Sequence, residues 1–382
     1  MNKPVYLDYA ASTPADPRVA EEMSKCMTLE GNFGNPASTT HSYGWNASEC
    51  VDIARNCVAE LIGADSREII FTSGATECDN AAIKGVVFAD IQNPGHIVTS
   101  AIEHKAVLDT CAFAESLGWE VTYLVPGKDG AITPAAVEGA IRENTRLVTL
   151  MGVNNEIGTV TDIEAIGAIC RSRGILFHCD AAQAAGKIKI DVEDMQIDML
   201  SISSHKIYGP KGIGALYVRN KPKVNLVPLV HGGGHERGYR SGTLATHQIA
   251  GFGKACEILT ECMNEETARI SALKSNLRKK LSNLPGVEFH GEGDTVCGIL
   301  NVGFKGVMGE TLIASRPDIA VSSGSACNSK SVEPSYVLTK IGVPRDIAAA
   351  SIRFSLGRFT TESDIDIAFR SVTRAISALK KK

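Results

Sequence analysis

Residues 175–183 read ILFHCDAAQ and residues 199–206 read MLSISSHK, and these two stretches indicate the fold. Each begins with a short apolar run without polar alternation, which is typical of a strand that is covered on both faces of a sheet. Polar side chains follow each run at once, with Asp180 in the first stretch and Lys206 in the second. The pattern predicts an α/β domain in which successive strand ends carry polar groups.

Five further runs support this interpretation, at residues 68–71, 96–99, 120–125, 146–150 and 213–218. Helix-length periodic segments lie between the runs, and residues 46–62 and 163–173 are the clearest. Strands that alternate with helices predict a largely parallel sheet with crossover helices.

The pattern changes after about residue 260. Apolar residues recur every three or four positions over residues 264–284, which predicts an amphipathic helix. Asn264 is suited to cap the start of that helix, and Pro285-Gly286 is suited to end it. We expect a second, smaller α/β unit in this part of the chain.

The composition excludes several classes of protein. The chain has 382 residues, of which 44% are hydrophobic and 21% charged, and its formal net charge is −4. This apolar content supports a large core and excludes a disordered or collagen-like chain, and the lack of a basic excess argues against direct nucleic-acid binding. No apolar run approaches the roughly 18 residues of a membrane span, and the N-terminus lacks a signal-peptide pattern. We therefore expect a cytoplasmic protein without membrane association.

The eleven cysteines include no Cys-x-x-Cys pair, so we expect no metal site. An odd number of cysteines in an unsecreted chain also argues against a disulfide framework. Ten of them are interpreted as small buried hydrophobes. Cys327 differs because it lies in the Gly- and Ser-rich stretch 321–334, which predicts an exposed loop and a functional thiol.

Four positions after strand-like runs suggest cofactor chemistry. The stretch SGATE at 73–77 opens a helix and suits a phosphate, although an ordinary tight turn is the alternative. Lys206 is either a nucleophilic amine that forms a Schiff base or a surface lysine. Asp180 suits the partner of a protonated pyridine nitrogen, with a helix cap as the alternative. His104 either stacks on an aromatic cofactor or is a structural histidine.

Nine motifs, in order along nearly the whole chain, closely resemble those of the NifS/IscS-type cysteine desulfurases. These are pyridoxal-phosphate enzymes of the class V aminotransferase group. The motifs are SGATE at 73–77, IEHK at 102–105, VNNEIG at 153–158, DAAQ at 180–183, SSHKIYGPKG at 203–212, HGGGHERGYRSGT at 231–243, SSGSAC at 322–327, EPSYVL at 333–338 and SIRFSLGR at 351–358.

The resemblance implies a role for each motif. Lys206 would hold pyridoxal 5′-phosphate as a Schiff base and move the substrate Cα proton. Cys327 would attack the sulfur of L-cysteine, leaving L-alanine and an enzyme persulfide that passes sulfur to acceptor proteins. The resemblance implies that the cofactor ring is contacted by Asp180, Gln183 and the catalytic His104. It implies that the phosphate is held by Ala75, Thr76, Ser203 and His205, and by Thr243 from the other subunit of a homodimer. It also implies that Asn155 and Arg353 bind the substrate carboxylate and that Asn155 contacts the cofactor as well.

The resemblance also implies an aspartate-aminotransferase-type fold. Residues 15–260 would form a large pyridoxal-phosphate-binding domain with a mainly parallel central sheet. Residues 1–14 with 261–382 would form a smaller α/β domain that carries the mobile Cys327 loop at about 322–334. The chain ends soon after its last helix-like segment, whereas housekeeping iron–sulfur members carry a longer tail for a scaffold protein, so we expect weak binding to such a scaffold.

Several alternatives stay open. Selenocysteine lyase or cysteine-sulfinate desulfinase activity would use the same scaffold. A pyridoxal-phosphate-binding interaction protein that has lost activity fits less well, because Lys206, Asp180, His104, Arg353 and Cys327 are all present. A transaminase also fits less well, because it leaves Cys327 unexplained. The acceptor of the sulfur is also open among iron–sulfur assembly, tRNA thiolation and DNA phosphorothioation. The sequence departs from the family pattern at Cys78, Gly152 and Cys179, near the expected cofactor site.

Overall fold

A seven-stranded sheet forms the centre of the protein in a computed structural model that describes residues 3–323 and 333–379. The described residues form twelve strands: β1 Val5–Tyr6, β2 Ile69–Thr72, β3 His96–Ser100, β4 Glu120–Leu124, β5 Thr145–Met151, β6 Leu176–Asp180, β7 Met199–Ser203, β8 Gly214–Val218, β9 Val287–His290, β10 Ile299–Phe304, β11 Ile319–Ala320 and β12 Ser351–Ser355. The seven apolar runs that predicted strands are β2 to β8.

The order of the strands in the central sheet is β2-β8-β7-β6-β5-β3-β4. The pairs from β7 to β4 are all parallel, whereas β8 runs antiparallel to both β7 and β2. The prediction of an α/β fold with a largely parallel sheet is therefore confirmed.

Helices cover both faces of this sheet. The described residues form eleven α-helices: α1 Pro17–Ser24, α2 Ser42–Ile62, α3 Ala75–Ala89, α4 Lys105–Ser116, α5 Pro134–Ala140, α6 Ile163–Ser172, α7 Thr246–Leu281, α8 Gly309–Ala314, α9 Tyr336–Lys340, α10 Arg345–Ala349 and α11 Glu362–Leu379. Successive residues of β2 face opposite cores: Ile69 and Phe71 pack in one with α2 and α7, and Ile70 packs in the other with α3 and α4. No helix of the described part of the chain is long and apolar enough to cross a membrane.

The helix predicted to start at Asn264 begins eighteen residues earlier. Helix α7 runs without a break from Thr246 to Leu281 over 36 residues. Its first half contains Gly251 and Gly253, which lower helix propensity in a sequence. In the fold these glycines allow close packing, because a Cβ at Gly253 would lie 2.5 Å from Ala54 Cα of α2. Tertiary packing therefore outweighs the low helix propensity of these two glycines.

The two halves of α7 pack in different cores. Phe252 and Leu259 belong to the core of the central sheet, whereas Leu273 and Leu281 belong to a second core under β10 and β12. This second core also includes Leu7, and β1 pairs with β11 in parallel. The N-terminal segment therefore packs with the C-terminal part of the chain, while a domain boundary at residue 260 stays a prediction, since α7 runs through it.

Candidate active site

A cavity of about 470 Å³ lies at the carboxyl edge of the central sheet. Polar groups gather there because the parallel strands β5, β6 and β7 all end at this edge. The chain contributes wall residues from the N-terminal segment, the start of α3 and the C-terminal strand β12. The wall includes Ala10, Ala11, Ala75, Thr76, Glu77, His104, Asn155, Asp180, Gln183, Ser203, His205, Lys206, Lys211, Ser322, Ser323 and Arg353.

Lys206 stands at the end of a short 3₁₀ turn, Ser204–Lys206, that follows β7 directly. Its Nζ donates hydrogen bonds to the carbonyl oxygens of Ala10, at 2.6 Å, and Ala11, at 2.9 Å. The amine is thus held at the cavity wall by backbone groups of the N-terminal segment. These two carbonyls are contacts that the sequence did not reveal, because backbone acceptors leave no side-chain signal and lie almost 200 residues away.

Asp180 is the last residue of β6 and is 5% exposed. Its carboxylate accepts a hydrogen bond from Ala182 N at 2.9 Å. Burial raises the pKa of Asp180, while Ala182 N, His104 and Lys206 act in the opposite direction. A cationic ring nitrogen beside this carboxylate would favour its charged form.

Gln183 belongs to the turn after β6, and its Nε2 donates to Ala10 O at 2.7 Å. Ala10 O therefore accepts hydrogen bonds from both Gln183 and Lys206. His104 is the N-cap of α4, where its Nδ1 accepts a hydrogen bond from Ala106 N at 3.2 Å. Because Nδ1 is an acceptor, a neutral His104 carries its proton on Nε2.

The start of α3 provides backbone donors for an anion. Its N-cap is Gly74, with φ of +146°, and no side chain caps the helix. The first-turn N–H groups are therefore not occupied by a capping side chain, and the helix dipole favours negative charge there. Ser203 and His205 line the same region. Burial, with Lys206 and Lys211 nearby, lowers the pKa of His205 to about 4, which keeps its imidazole neutral near pH 7.

Arg353 lies in the middle of β12 and is 6% exposed. Its Nη1 donates to Asn155 O and its Nη2 to Asp8 Oδ1, both at 2.8 Å. Within the described residues, Arg353 Nε and Asn155 Oδ1 are buried without a hydrogen-bond partner. Buried polar atoms of this kind normally have partners, and both residues line the cavity, so the two atoms are candidates for contact with a polar ligand there.

Glu156 follows Asn155 in the sequence, and its buried side chain contacts the segment that follows the Cys327 region. Ser335 Oγ donates to Glu156 Oε2 at 2.5 Å. Burial raises the pKa of Glu156 to about 7, against the opposing effects of Ser335 and Arg353. A carboxyl group next to the cavity therefore titrates near neutral pH, and no local pattern in the sequence indicated this.

Two of the candidate residues do not appear in the cavity wall. Thr243 is exposed and does not line the cavity. Cys327 lies outside the described residues, although Ser323, four positions before it, lines the cavity. The prediction of a loop over about 322–334 also falls mostly outside the described residues.

The three departures from the family pattern also lie outside the wall. Cys78 and Cys179 are fully buried. Gly152 packs beneath the cavity, where a Cβ would approach Cys179 Sγ to 3.3 Å. These residues therefore contribute packing under the site and no group in its wall.

Comparisons with known proteins agree on one family. The class-V aminotransferase family matches residues 5–368. The chain is 57% identical to the cysteine desulfurase IscS of Shewanella sediminis over 382 residues, which is 100% of this chain and 95% of that protein. Among solved structures, a NifS-like protein superposes with a TM-score of 0.91 and 36% identity, covering 98% of this chain and 99% of its own. A structure of SspA in complex with cysteine superposes with a TM-score of 0.83 and 42% identity, covering 93% and 99%.

Proposed function

Since the chain belongs to the class-V aminotransferase family and, within it, to the IscS-type cysteine desulfurases, we propose that the cavity at the carboxyl edge of the sheet is its active site. The chain is a pyridoxal-phosphate-dependent cysteine desulfurase with the fold of the pyridoxal-phosphate enzymes that it resembles. The main observation in support of this active site is that Lys206, Asp180 and the uncapped start of α3 line one cavity.

Pyridoxal phosphate fits the donors and acceptors of this cavity. The α3 N–H groups with Ser203 and His205 suit the phosphate, Asp180 suits the pyridine nitrogen, and Gln183 suits the ring oxygen. When bound, pyridoxal phosphate supplies an electron sink that stabilises negative charge on the substrate Cα.

Lys206 would hold the cofactor and later accept the proton of the substrate Cα at Nζ. When Lys206 is not joined to the cofactor, the carbonyls of Ala10 and Ala11 hold its amine at the wall, because both accept hydrogen bonds from it. His104 would contact the ring from the start of α4 and offer its Nε2–H to the reacting groups.

Arg353 and Asn155 would bind the carboxylate of L-cysteine. An arginine suits this role because its guanidinium presents several N–H donors in a fixed geometry. Arg353 Nε has no hydrogen-bond partner among the described residues, so this donor is available to the substrate. Asp8 and Asn155 O hold the two ends of the guanidinium, so its plane is fixed before the substrate arrives.

Cys327 would take the substrate sulfur as a persulfide, an assignment that rests on the SSGSAC motif at 322–327. The test is alanine and persulfide production by Cys327→Ser, with Cys57→Ser as a half-buried cysteine outside the cavity. We expect Cys327→Ser to bind the cofactor and to lose at least about a hundredfold of its alanine production, because a hydroxyl is a far weaker nucleophile than a thiolate. Full alanine production by Cys327→Ser would favour selenocysteine lyase or desulfinase chemistry instead.

The active protein would be a cytoplasmic homodimer in which Thr243 reaches the cofactor phosphate of the other subunit. Thr243 is exposed and absent from the wall of its own cavity, which supports this assignment. Mixing inactive Lys206→Ala subunits with inactive Thr243→Ala subunits would then restore one intact site in each mixed dimer. An active monomer in sedimentation experiments would contradict the shared site.

A further inference from the structure

A second lysine lies close behind the cavity. Lys187 follows Gln183 by four residues, in the turns between β6 and β7, and its Nζ donates to Gln183 Oε1 at 3.2 Å. Burial and the nearby charge of Lys206 lower the pKa of Lys187 to about 8, with Cys297 acting in the opposite direction. Within residues 3–323 and 333–379, no carboxylate pairs with this amine in a salt bridge.

Lys187 does not line the active-site cavity. It lines a separate cavity of about 30 Å³, which has Lys206 and Cys297 in its wall. That volume holds about one water molecule. Lys187 therefore lies behind Gln183 and Lys206, where it can act on the cofactor only through another residue.

Its hydrogen bond fixes the orientation of the Gln183 amide. Ala10 O can only accept a hydrogen bond, and an ammonium group can only donate one. The amide therefore has a single orientation that satisfies both neighbours, with Nε2 toward Ala10 and Oε1 toward Lys187. Nε2 carries a second N–H besides the one it gives to Ala10 O.

We infer that Lys187 is a positioning residue that keeps the Gln183 N–H group turned toward the cofactor ring oxygen. With Oε1 held by Lys187, Gln183 presents a donor to an anionic oxygen in the cavity that it lines. Without Lys187, only the hydrogen bond to Ala10 O opposes a rotation of the amide that brings Oε1 toward that oxygen, where two acceptors repel each other. This inference rests on the proposed contact between Gln183 and the cofactor.

The test is a pH titration of the visible absorbance of the bound cofactor in the holoenzyme. Lys187→Met removes the donor, Lys187→Gln keeps an N–H donor without the charge, and Lys189→Met removes an exposed lysine nearby. Loss of a hydrogen bond to the anionic ring oxygen makes its protonated form more favourable. We expect the midpoint for Lys187→Met to rise by about one pH unit, which equals a tenfold change in proton affinity. The Lys187→Gln and Lys189→Met variants should titrate with the same midpoint as the protein without substitutions.

A double-mutant cycle separates this inference from the role of Gln183. Gln183→Ala should raise the midpoint by itself, and Lys187→Met should add nothing in that background. If Gln183→Ala leaves the midpoint unchanged, the proposed contact of Gln183 is wrong. If Gln183→Ala raises the midpoint but Lys187→Met in the otherwise unchanged chain does not, the inference about Lys187 is wrong. Should Lys187→Met fail to fold, Lys187→Ala removes the same donor with a smaller side chain and is judged by the same criteria.

Discussion

Two groups of residues in the cavity wall hold polar groups by different means: Asp180, Gln183 and Lys206, here called the floor, and Asn155 and Arg353, here called the rim, which have Asp8 and Glu156 as neighbours outside the wall. Floor residues stand at or just after the ends of buried strands, and backbone carbonyls and N–H groups fix them. The rim depends on contacts between remote side chains, such as the ion pair of Arg353 with Asp8. We therefore expect Asp180 and Lys206 to keep their positions when a neighbouring charge is removed, whereas Arg353 depends in part on the charge of Asp8.

The largest expected effect is at the floor. Lys206→Ala should lower cysteine desulfuration by at least about a thousandfold, because both the covalent attachment of the cofactor and the proton acceptor are lost. Borohydride reduction of the unchanged protein should label the peptide that contains Lys206, and Lys189→Ala serves as the control. A label on another lysine would contradict the assignment of the floor.

A smaller loss is expected at the rim. Arg353→Ala should reduce kcat/KM for L-cysteine by about a hundredfold, mainly through KM, because a buried partner of the substrate carboxylate is removed. Cofactor absorbance should stay unchanged, since the floor is intact. An equal loss of cofactor binding would show that floor and rim are not separate.

The ion pair that supports Arg353 allows a finer test. Asp8→Asn keeps the size of the side chain but removes the charge that Arg353 Nη2 contacts at 2.8 Å. We expect KM to rise by about threefold to tenfold with kcat nearly unchanged, because one of the two supports of the guanidinium is weakened when it loses its charge. An unchanged KM would mean that Asn155 O alone is enough to orient Arg353.

The smallest effect on activity is expected at Glu156, where stability changes instead. Its pKa in the folded protein is about 7, above the ordinary value of 4.5, so folding favours the protonated form. This stabilisation is complete below about pH 4.5 and is lost as the pH rises through 7. Relative to Glu156→Gln, the unchanged protein should therefore lose free energy of unfolding, on the order of 3 kcal/mol, between pH 4.5 and 8. Urea unfolding at several pH values measures this, with Glu60→Gln, an exposed site on α2, as the control; parallel pH curves would contradict the prediction.

Residue patterns alone predicted Asp180 and Lys206 of the floor, whereas Gln183 of the floor and Asn155 and Arg353 of the rim were named only through the family resemblance. Asp180 and Lys206 directly follow apolar strand-like runs, and parallel strands bring such positions to one edge. The partners of Lys206 and Arg353 were hidden, since Ala10 is 196 residues from Lys206 and Asp8 is 345 residues from Arg353. No local pattern reports contacts over such separations. The roles of Thr243 and Cys327 came from the family resemblance and stay predictions.

Helix α7 gives the two cores a common element. Its 36 residues extend over about 54 Å, and Phe252 at one end and Leu281 at the other are fully buried in different cores. Loss of packing in either core exposes part of a helix that the other core also needs. Heat should therefore unfold both cores in one cooperative transition, and the enthalpy measured by calorimetry in that transition should be the unfolding enthalpy of the whole chain.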